Sequence, residues 1–193
     1  VASTSRTGLL TGILDENGDR YATFRYDANG RAWSTEHGNG ANRYTFAWGS
    51  TNSVTDPLGT TRTVATTTVK GFVRTVGLSQ ACPSCGKEAN VSTSTFDANG
   101  NVTSRTSFTG KKTCYAYDTT RNLETARLEG ATSAENCTTV LATPPNRPDV
   151  RKVTTTWHAT WRLPATITEP APGGTKTTTF AYDADGQRIL TSR

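Results

Sequence analysis

The chain has 193 residues, enough for a domain of ordinary size, and a formal net charge of +5 with a pI near 9.2. Its lysines and arginines are scattered and no apolar stretch approaches membrane-spanning length, which argues against a dedicated nucleic-acid groove and against a membrane span. Only 33% of the chain is hydrophobic, yet threonine alone makes up about a fifth. A residue that is both β-branched and polar predicts strands wet on at least one face, and the regular placing of the aromatics argues against disorder.

In chain order, the small polar residues 1–12 lead into a first strand. Residues 13–35 predict two successive hairpins that share the strand Tyr21 to Tyr26. Their turns are Asp-Glu-Asn-Gly18 and Asp27-Ala-Asn-Gly30. In the second, Asp27 can accept a hydrogen bond from the N–H two residues on, Asn29 tolerates a left-handed conformation, and Gly30 adopts positive φ without steric cost. This is the chemistry of a type I turn closed by a glycine bulge. His37-Gly-Asn-Gly40 is a loop, and Arg43 to Trp48 alternates as a strand with Tyr44, Phe46 and Trp48 on one face. Residues 53–76 predict a hairpin around Asp56-Pro-Leu-Gly59 and a further pair of Val/Thr-rich strands.

Ala81 to Gly86 is a tight loop with Cys82 and Cys85. Strands follow over Val91 to Phe96, Val102 to Phe108, Cys114 to Tyr117, and Leu123 to Leu128. Residues 130–149, ending in Pro144-Pro-Asn-Arg-Pro148, predict an irregular insertion pinned by Cys137. From Val153 to Leu163 the alternation is strict: Val153, Thr155, Trp157, Ala159, Trp161 and Leu163 fall on one face, with His158 on the other. The last hairpin spans Thr175 to Thr191, and no stretch has the pattern of an amphipathic helix. The fold class is therefore all-β, built of repetitive antiparallel hairpins in a single region, 1–193. Because the sequence begins at Val1 and contains no methionine, a segment of a larger protein is expected.

One turn signal recurs along this path. Besides Asp15 and Asp27, it comprises Asp56 to Gly59, Asp97 to Gly100, Asp183 to Gly186, and Asp118 to Arg121, which lacks the glycine. An aromatic precedes four of the six aspartates: Tyr26, Phe96, Tyr117 and Tyr182. The step from Asp97 to Asp118 is 21 residues; those from Asp56 to Asp97 and Asp118 to Asp183, 41 and 65, are near multiples of it. Degenerate turns are expected at Lys70-Gly71 and at Pro170 to Gly174, whereas the early steps of 12 and 29 do not fit.

Tyr115-Ala-Tyr-Asp118, Phe180-Ala-Tyr-Asp183 and Phe24-Arg-Tyr-Asp27 with Gly30 resemble the YD repeats of the Rhs family, as do Arg121 to Thr125 and Trp157 to Pro164. The resemblance covers most of residues 13–193. It implies a ribbon of hairpins forming a curved sheet or part of a spiralling β-shell of the kind that encloses a toxin, as in toxin-complex shells and teneurins. It also implies further YD repeats as partners, an enclosed toxin as cargo, and export to the bacterial surface or the extracellular space. Arg121 stands where the family has glycine, and Arg188 where it has an apolar residue. Asp56-Pro-Leu-Gly59 is followed by Thr60, so it departs from the family's shell-end motif, which is linked to self-cleavage, and reads as a turn.

Other chemistry weighs less. The four cysteines, Cys82, Cys85, Cys114 and Cys137, allow three pairings, of which the local ones, Cys82–Cys85 and Cys114–Cys137, are expected. A redox pair would want a following helix, and a zinc knuckle a second close pair, so neither use is favoured over a structural one. His37 and His158 have no nucleophile motif nearby, and each repeated Asp has a local task in its turn. No enzyme, cofactor or metal is expected. The leading reading is a non-enzymatic structural segment. The alternative is a lectin-like or adhesive surface module, with Trp33, Trp48, Tyr26 and Tyr182 stacking on glycans.

Overall fold

The computed structural model describes residues 8–49, 51–82 and 87–192, the side chains of 81–82 and 87–90 excepted. The fold is nearly all β: fifteen antiparallel strands in one sheet, each beside its sequence neighbours. They are β1 Gly12–Leu14, β2 Arg20–Tyr26, β3 Ala32–His37, β4 Tyr44–Ala47, β5 Asn52–Thr55, β6 Thr61–Val69, β7 Phe72–Cys82 and β8 Lys87–Phe96. β9 Val102–Thr106, β10 Lys111–Asp118, β11 Leu123–Thr132, β12 Arg151–Trp157, β13 Pro164–Ala171, β14 Gly174–Tyr182 and β15 Arg188–Ser192 follow. Packing divides the chain into two compact units, Val1–Thr67 with Thr75–Val91 and Thr68–Arg74 with Ser92–Arg193.

In the first unit the polar interior of β2–β4 is organised around Glu36. The carboxylate is buried and held by Arg25 at 2.6 Å and Arg43 at 2.5 Å. The Arg25 hydrogen bond, reinforced by Arg43, keeps its pKa below the usual carboxylate range. Arg62 on β6 joins Asp56 at 3.0 Å to Gln80 of β7 at 3.1 Å, and Thr63 shares a hydroxyl hydrogen bond with Ser79.

In the second unit, register places Thr95, Ser104, Cys114, Leu128 and Lys152 of successive strands on one face. The insertion covers the middle of that line. It contains one short helix, α1 Cys137–Ala142, where the sequence suggested only irregular chain. Six residues are too few to show a helical period, but Asn136 caps them, accepting from the N–H groups of Thr138 and Thr139 at 2.9 and 3.3 Å. Val140 of α1 closes a cluster with Cys114, Leu128 and Ala131, flanked by Leu141 and Val150. Cys114 and Cys137 are joined by a disulfide. Arg147 grips Glu135 through both carboxylate oxygens at 2.8 and 3.0 Å, and Lys112 and Lys152 donate to the carbonyls of Glu135 and Leu141.

Three strand assignments are corrected. β12 ends at Trp157, so the alternation that suggested a strand to Leu163 breaks off into a turn. The cause is His158, whose Nδ1 accepts from the N–H groups of Thr160 and Trp161 at 3.2 and 3.3 Å and folds the chain back. β9 ends at Thr106, so Phe108 sits in a turn, and Trp48 lies just past β4.

Two predictions follow from the insertion. Gly130 has φ +84°, and a Cβ there would sit 1.9 Å from the Asp149 carbonyl oxygen, whereas at Gly110, φ +79°, a Cβ meets nothing within 4 Å. Gly110→Ala is expected to cost about 1 kcal/mol and Gly130→Ala about 3 kcal/mol or more in urea denaturation, since only the second adds a backbone clash to left-handed strain. The second prediction concerns Glu135, held at a pKa of about 2 by Arg147 and then by the Thr132 N–H, against an ordinary 4.5. Because the folded pKa is depressed, this stabilisation is complete above the unfolded value and fades as pH falls toward 2. The stability gap between wild type and Glu135→Gln, read from thermal melts, should be constant above about pH 5 and close toward pH 2.

Candidate functional site: a row of linked turns

Five of the six repeated aspartates organise their turns in the same way; Asp118 instead accepts from the N–H groups of Thr120 and Arg121, at 2.9 and 3.3 Å. Asp27 Oδ1 accepts from the N–H groups of Asn29 and Arg31, both at 2.9 Å, while the Gly30 N–H donates to the Asp27 carbonyl. Asp15, Asp56, Asp97 and Asp183 accept at the same two offsets, and their turns close on Gly18, Gly59, Gly100 and Gly186 at φ of 82–86°. Hydrogen bonds to the ionised carboxylate hold three of these acids below their ordinary pKa. For Asp27 the Arg31 N–H contributes most, and for Asp56 the Thr60 N–H. For Asp97, burial pushes upward but is outweighed by the Asn101 side chain and the turn N–H groups.

Ser107-Phe-Thr-Gly110 builds the same turn with serine in the first place. Gly110 donates to the Ser107 carbonyl at 2.9 Å, and the Ser107 N–H to the Lys111 carbonyl at 2.8 Å. The Asp97-to-Asp118 step therefore contains two turns. In an antiparallel meander, alternate turns fall at opposite ends of the strands. Within the second unit, the turns after β6, β8, β10, β12 and β14 share one end, and they include all three with Phe96, Tyr117 or Tyr182 before the Asp. Within the first unit, Asp27, which follows Tyr26, lies at the end opposite Asp15 and Asp56. The short early step of 12 residues thus joins turns at opposite ends.

The aromatic at the strand end reaches sideways. Tyr26 donates its hydroxyl to the Leu10 carbonyl at 2.9 Å, and Tyr182 to that of Pro164 at 2.8 Å. Trp48 and Trp157 do the same with their indole N–H, to Ala32 at 2.6 Å and Glu124 at 2.7 Å. In all four cases the acceptor lies within two residues of the start of the preceding strand. Phe96 has no donor, and the Arg74 guanidinium stacks over its ring at 6.0 Å instead. Burial pushes the Tyr117 phenol pKa upward.

In the second unit the turns themselves are also bonded side to side. Asn99 of the Asp97 turn donates to the Thr119 carbonyl at 2.8 Å, and Asn101 to Asn122 Oδ1 at 3.0 Å. Arg121 donates to the His158 and Trp161 carbonyls, both at 2.7 Å, and Arg162 returns hydrogen bonds to the carbonyls of Arg121 and Asn122. His158 stacks on Trp161 at 4.6 Å and meets the Tyr182 ring edge-on at 5.9 Å. Gly186 lies under the Trp161 ring, where a Cβ would come within 3.1 Å. Arg121, in the glycine slot, is therefore the tie between two turns, and Asn122, at φ 51°, takes the left-handed conformation one residue later.

Of the residues singled out from the sequence, this row brings together Phe96, Asp97, Gly100, Asp118, Tyr182, Asp183, Gly186 and His158. Tyr26, Asp27, Gly30, Asp56, Gly59 and His37 belong to the first unit, where His37 packs edge-on against Tyr21 at 5.4 Å. Cys114 and Cys137 lie away from the row, at the insertion. The Cys82–Cys85 pairing lies outside the described residues. Arg74, Asn99, Arg121, Arg162 and Trp161 were missed as site residues because their partners lie about 20 or more residues away. The row offers carbonyls, amides, guanidiniums and rings already engaged with one another, an arrangement suited to holding hairpins side by side. Among the described residues no three His, Cys, Asp or Glu side chains are grouped to hold a metal. No described helix is long and apolar enough to cross a membrane.

No family model matches the sequence, and no curated protein matches it. Several solved structures match part of their length to this chain at low identity. A chain of the TcdB2-TccC3-Cdc42 structure is 13% identical at a TM-score of 0.45, over 94% of this chain and 11% of that one. One from the Photorhabdus luminescens Tc holotoxin pore is 13% identical at a TM-score of 0.46, over 91% and 10%. A porin-like protein from Bacteroides uniformis is 12% identical at a TM-score of 0.37, over 86% and 79%. The chain spans about a tenth of the length of the two toxin-complex chains.

Arg121→Gly should test the row directly. It restores the repeat's glycine yet removes two charge-assisted hydrogen bonds, and is expected to lower stability in urea denaturation by about 1–3 kcal/mol. A neutral or stabilising result would mean that the lateral bonds contribute nothing.

Proposed function

We propose that this chain is a non-enzymatic structural segment of the YD-repeat kind. It forms part of an encapsulating shell or an extracellular assembly by hairpin stacking and strand-edge pairing. The observation that carries this reading is the sideways use of the strand-end aromatics. Tyr26, Trp48, Trp157 and Tyr182 each spend their one polar tip on the backbone of the neighbouring strand. A hairpin built this way makes these hydrogen bonds to the strand that precedes it, the condition under which repeats extend into walls. The partners are further repeats, in the same chain or in identical copies, and in a closed shell the cargo is a toxin. The Cys114–Cys137 disulfide suits an oxidising, exported location.

Strand β15 supports the same reading from the edge. It pairs on one side with β14, and Ile189 and Leu190 are 65% and 58% exposed. A strand whose second edge is unpaired among the described residues, and whose apolar side chains are exposed, is a template for further pairing. Light scattering across a concentration series should show mass rising with concentration, and Leu190→Lys should suppress the rise. A monomer at every concentration would overturn edge pairing. The second reading, a glycan-binding surface, draws on Trp33 and Trp48, 41% and 43% exposed. Saturable quenching of tryptophan fluorescence by oligosaccharides in that monomer would favour it.

A further inference from the structure

The Cys114–Cys137 disulfide stands in an asymmetric setting. Cys114 is fully buried under the insertion. Cys137, at the first turn of α1, lines an open groove of about 440 Å³ together with Thr95, Ser104, Lys112, Glu135 and Thr138. Cys137 is thus half-buried at the groove wall, whereas Cys114 is closed off from solvent. The groove carries a cation, Lys112, and the Glu135 carboxylate that shares it is neutralised by Arg147. An approaching thiolate therefore meets a net attractive wall.

What the bond holds in place is small. α1 has six residues, below the length at which a helix stands alone. Its one fully buried apolar side chain is Val140, with Leu141 partly buried beside it. Beneath lie Cys114 of β10 and an apolar strip of β11, Leu128 and Ala131, all fully buried. Those strands are secured independently of the insertion by their ladder and by the row of linked turns.

We infer that Cys114–Cys137 is a thiol-operated latch, entered at Cys137, and that its opening releases α1 and uncovers the Leu128–Ala131 strip. The chemistry balances with a small thiol or dithiol as reductant. Its thiolate attacks Cys137 Sγ, a mixed disulfide forms there, and the original S–S bond breaks with its electron pair passing to Cys114 Sγ, which takes up a proton. A second thiol attacks the reductant's sulfur in the mixed disulfide and Cys137 leaves as thiolate. The protein gains two electrons and the reductant is oxidised to its own disulfide.

Hydrogen exchange of the intact 193-residue chain, with and without dithiothreitol under native conditions, tests this. The expected result is loss of protection, tenfold or more, over 133–143, with β10 and β11 retaining theirs and both cysteines becoming alkylatable. The double variant Cys114→Ser/Cys137→Ser should show the same pattern without reductant, which separates the effect from Cys82 and Cys85. The latch is overturned by any of three outcomes: the disulfide resists reduction in the folded chain; the reduced insertion stays protected, held by Glu135–Arg147; or β10 and β11 lose protection with it, making the bond a staple of the whole unit.

Discussion

The interaction on which the rest of this structure depends is a carboxylate oxygen closing a turn. In each of five loops an aspartate Oδ1 takes the N–H groups two and four residues on, so a few residues reverse the chain in a fixed shape. This shape fixes register, and register decides which side chains face which way. Apolar packing cannot take over that task. The fully buried apolar side chains among the described residues are few: Ala22, Cys114, Leu123, Leu128, Ala131 and Val140. Four of these belong to the patch beneath the insertion. Elsewhere the strands are mostly half-buried or exposed, and order has to come from directional bonds.

The abundance of threonine has the same origin. A strand wet on both faces gains little from leucine but still needs a stiff, β-branched side chain. Threonine supplies it together with a hydroxyl that bonds across the ladder. Thr55 with Thr61, Thr156 with Thr166, and Thr168 with Thr177 pair in this way at 2.7–2.9 Å, each across two adjacent strands. Such pairs are individually weak, of order 0.2–1 kcal/mol. Several of the stronger ties, those with charged or aromatic donors, are placed at the strand ends, where a frayed turn would otherwise begin to peel the sheet.

The sequence made the hairpins legible because their chemistry is local. An Asp-x-x-Gly turn contains its own donors and acceptors within five residues, and Lys70-Gly71 and Pro172-Gly173 announce themselves through glycine at positive φ. Ser107 escaped because serine is a less specific signal than aspartate, although it builds the same backbone turn. The stretch from Val153 to Leu163 misled because alternation continues through residues that do not form a strand. A histidine nitrogen that accepts two backbone N–H groups has no signature in a hydrophobic pattern. The row of turns was illegible for a different reason. Its bonds join residues such as Asn99 and Thr119, or Arg121 and Trp161, whose proximity follows from the meander and from nothing in their own neighbourhoods.

Arg121 shows how a departure from a repeat can be a gain. Glycine in that slot relieves backbone strain and offers nothing to a neighbour. Moving the left-handed residue to Asn122 frees the slot for a side chain with five donors, and asparagine tolerates that conformation better than most residues other than glycine. The guanidinium then satisfies the His158 and Trp161 carbonyls of a turn that has neither aspartate nor glycine to order it, and Arg162 from that turn answers with bonds to Arg121 and Asn122. Each turn lacks part of the repeat's own chemistry, and each supplies what the other lacks. Two degenerate turns side by side are in this way as well connected as two regular ones, so a repeat array can lose its sequence signature locally and keep its sheet.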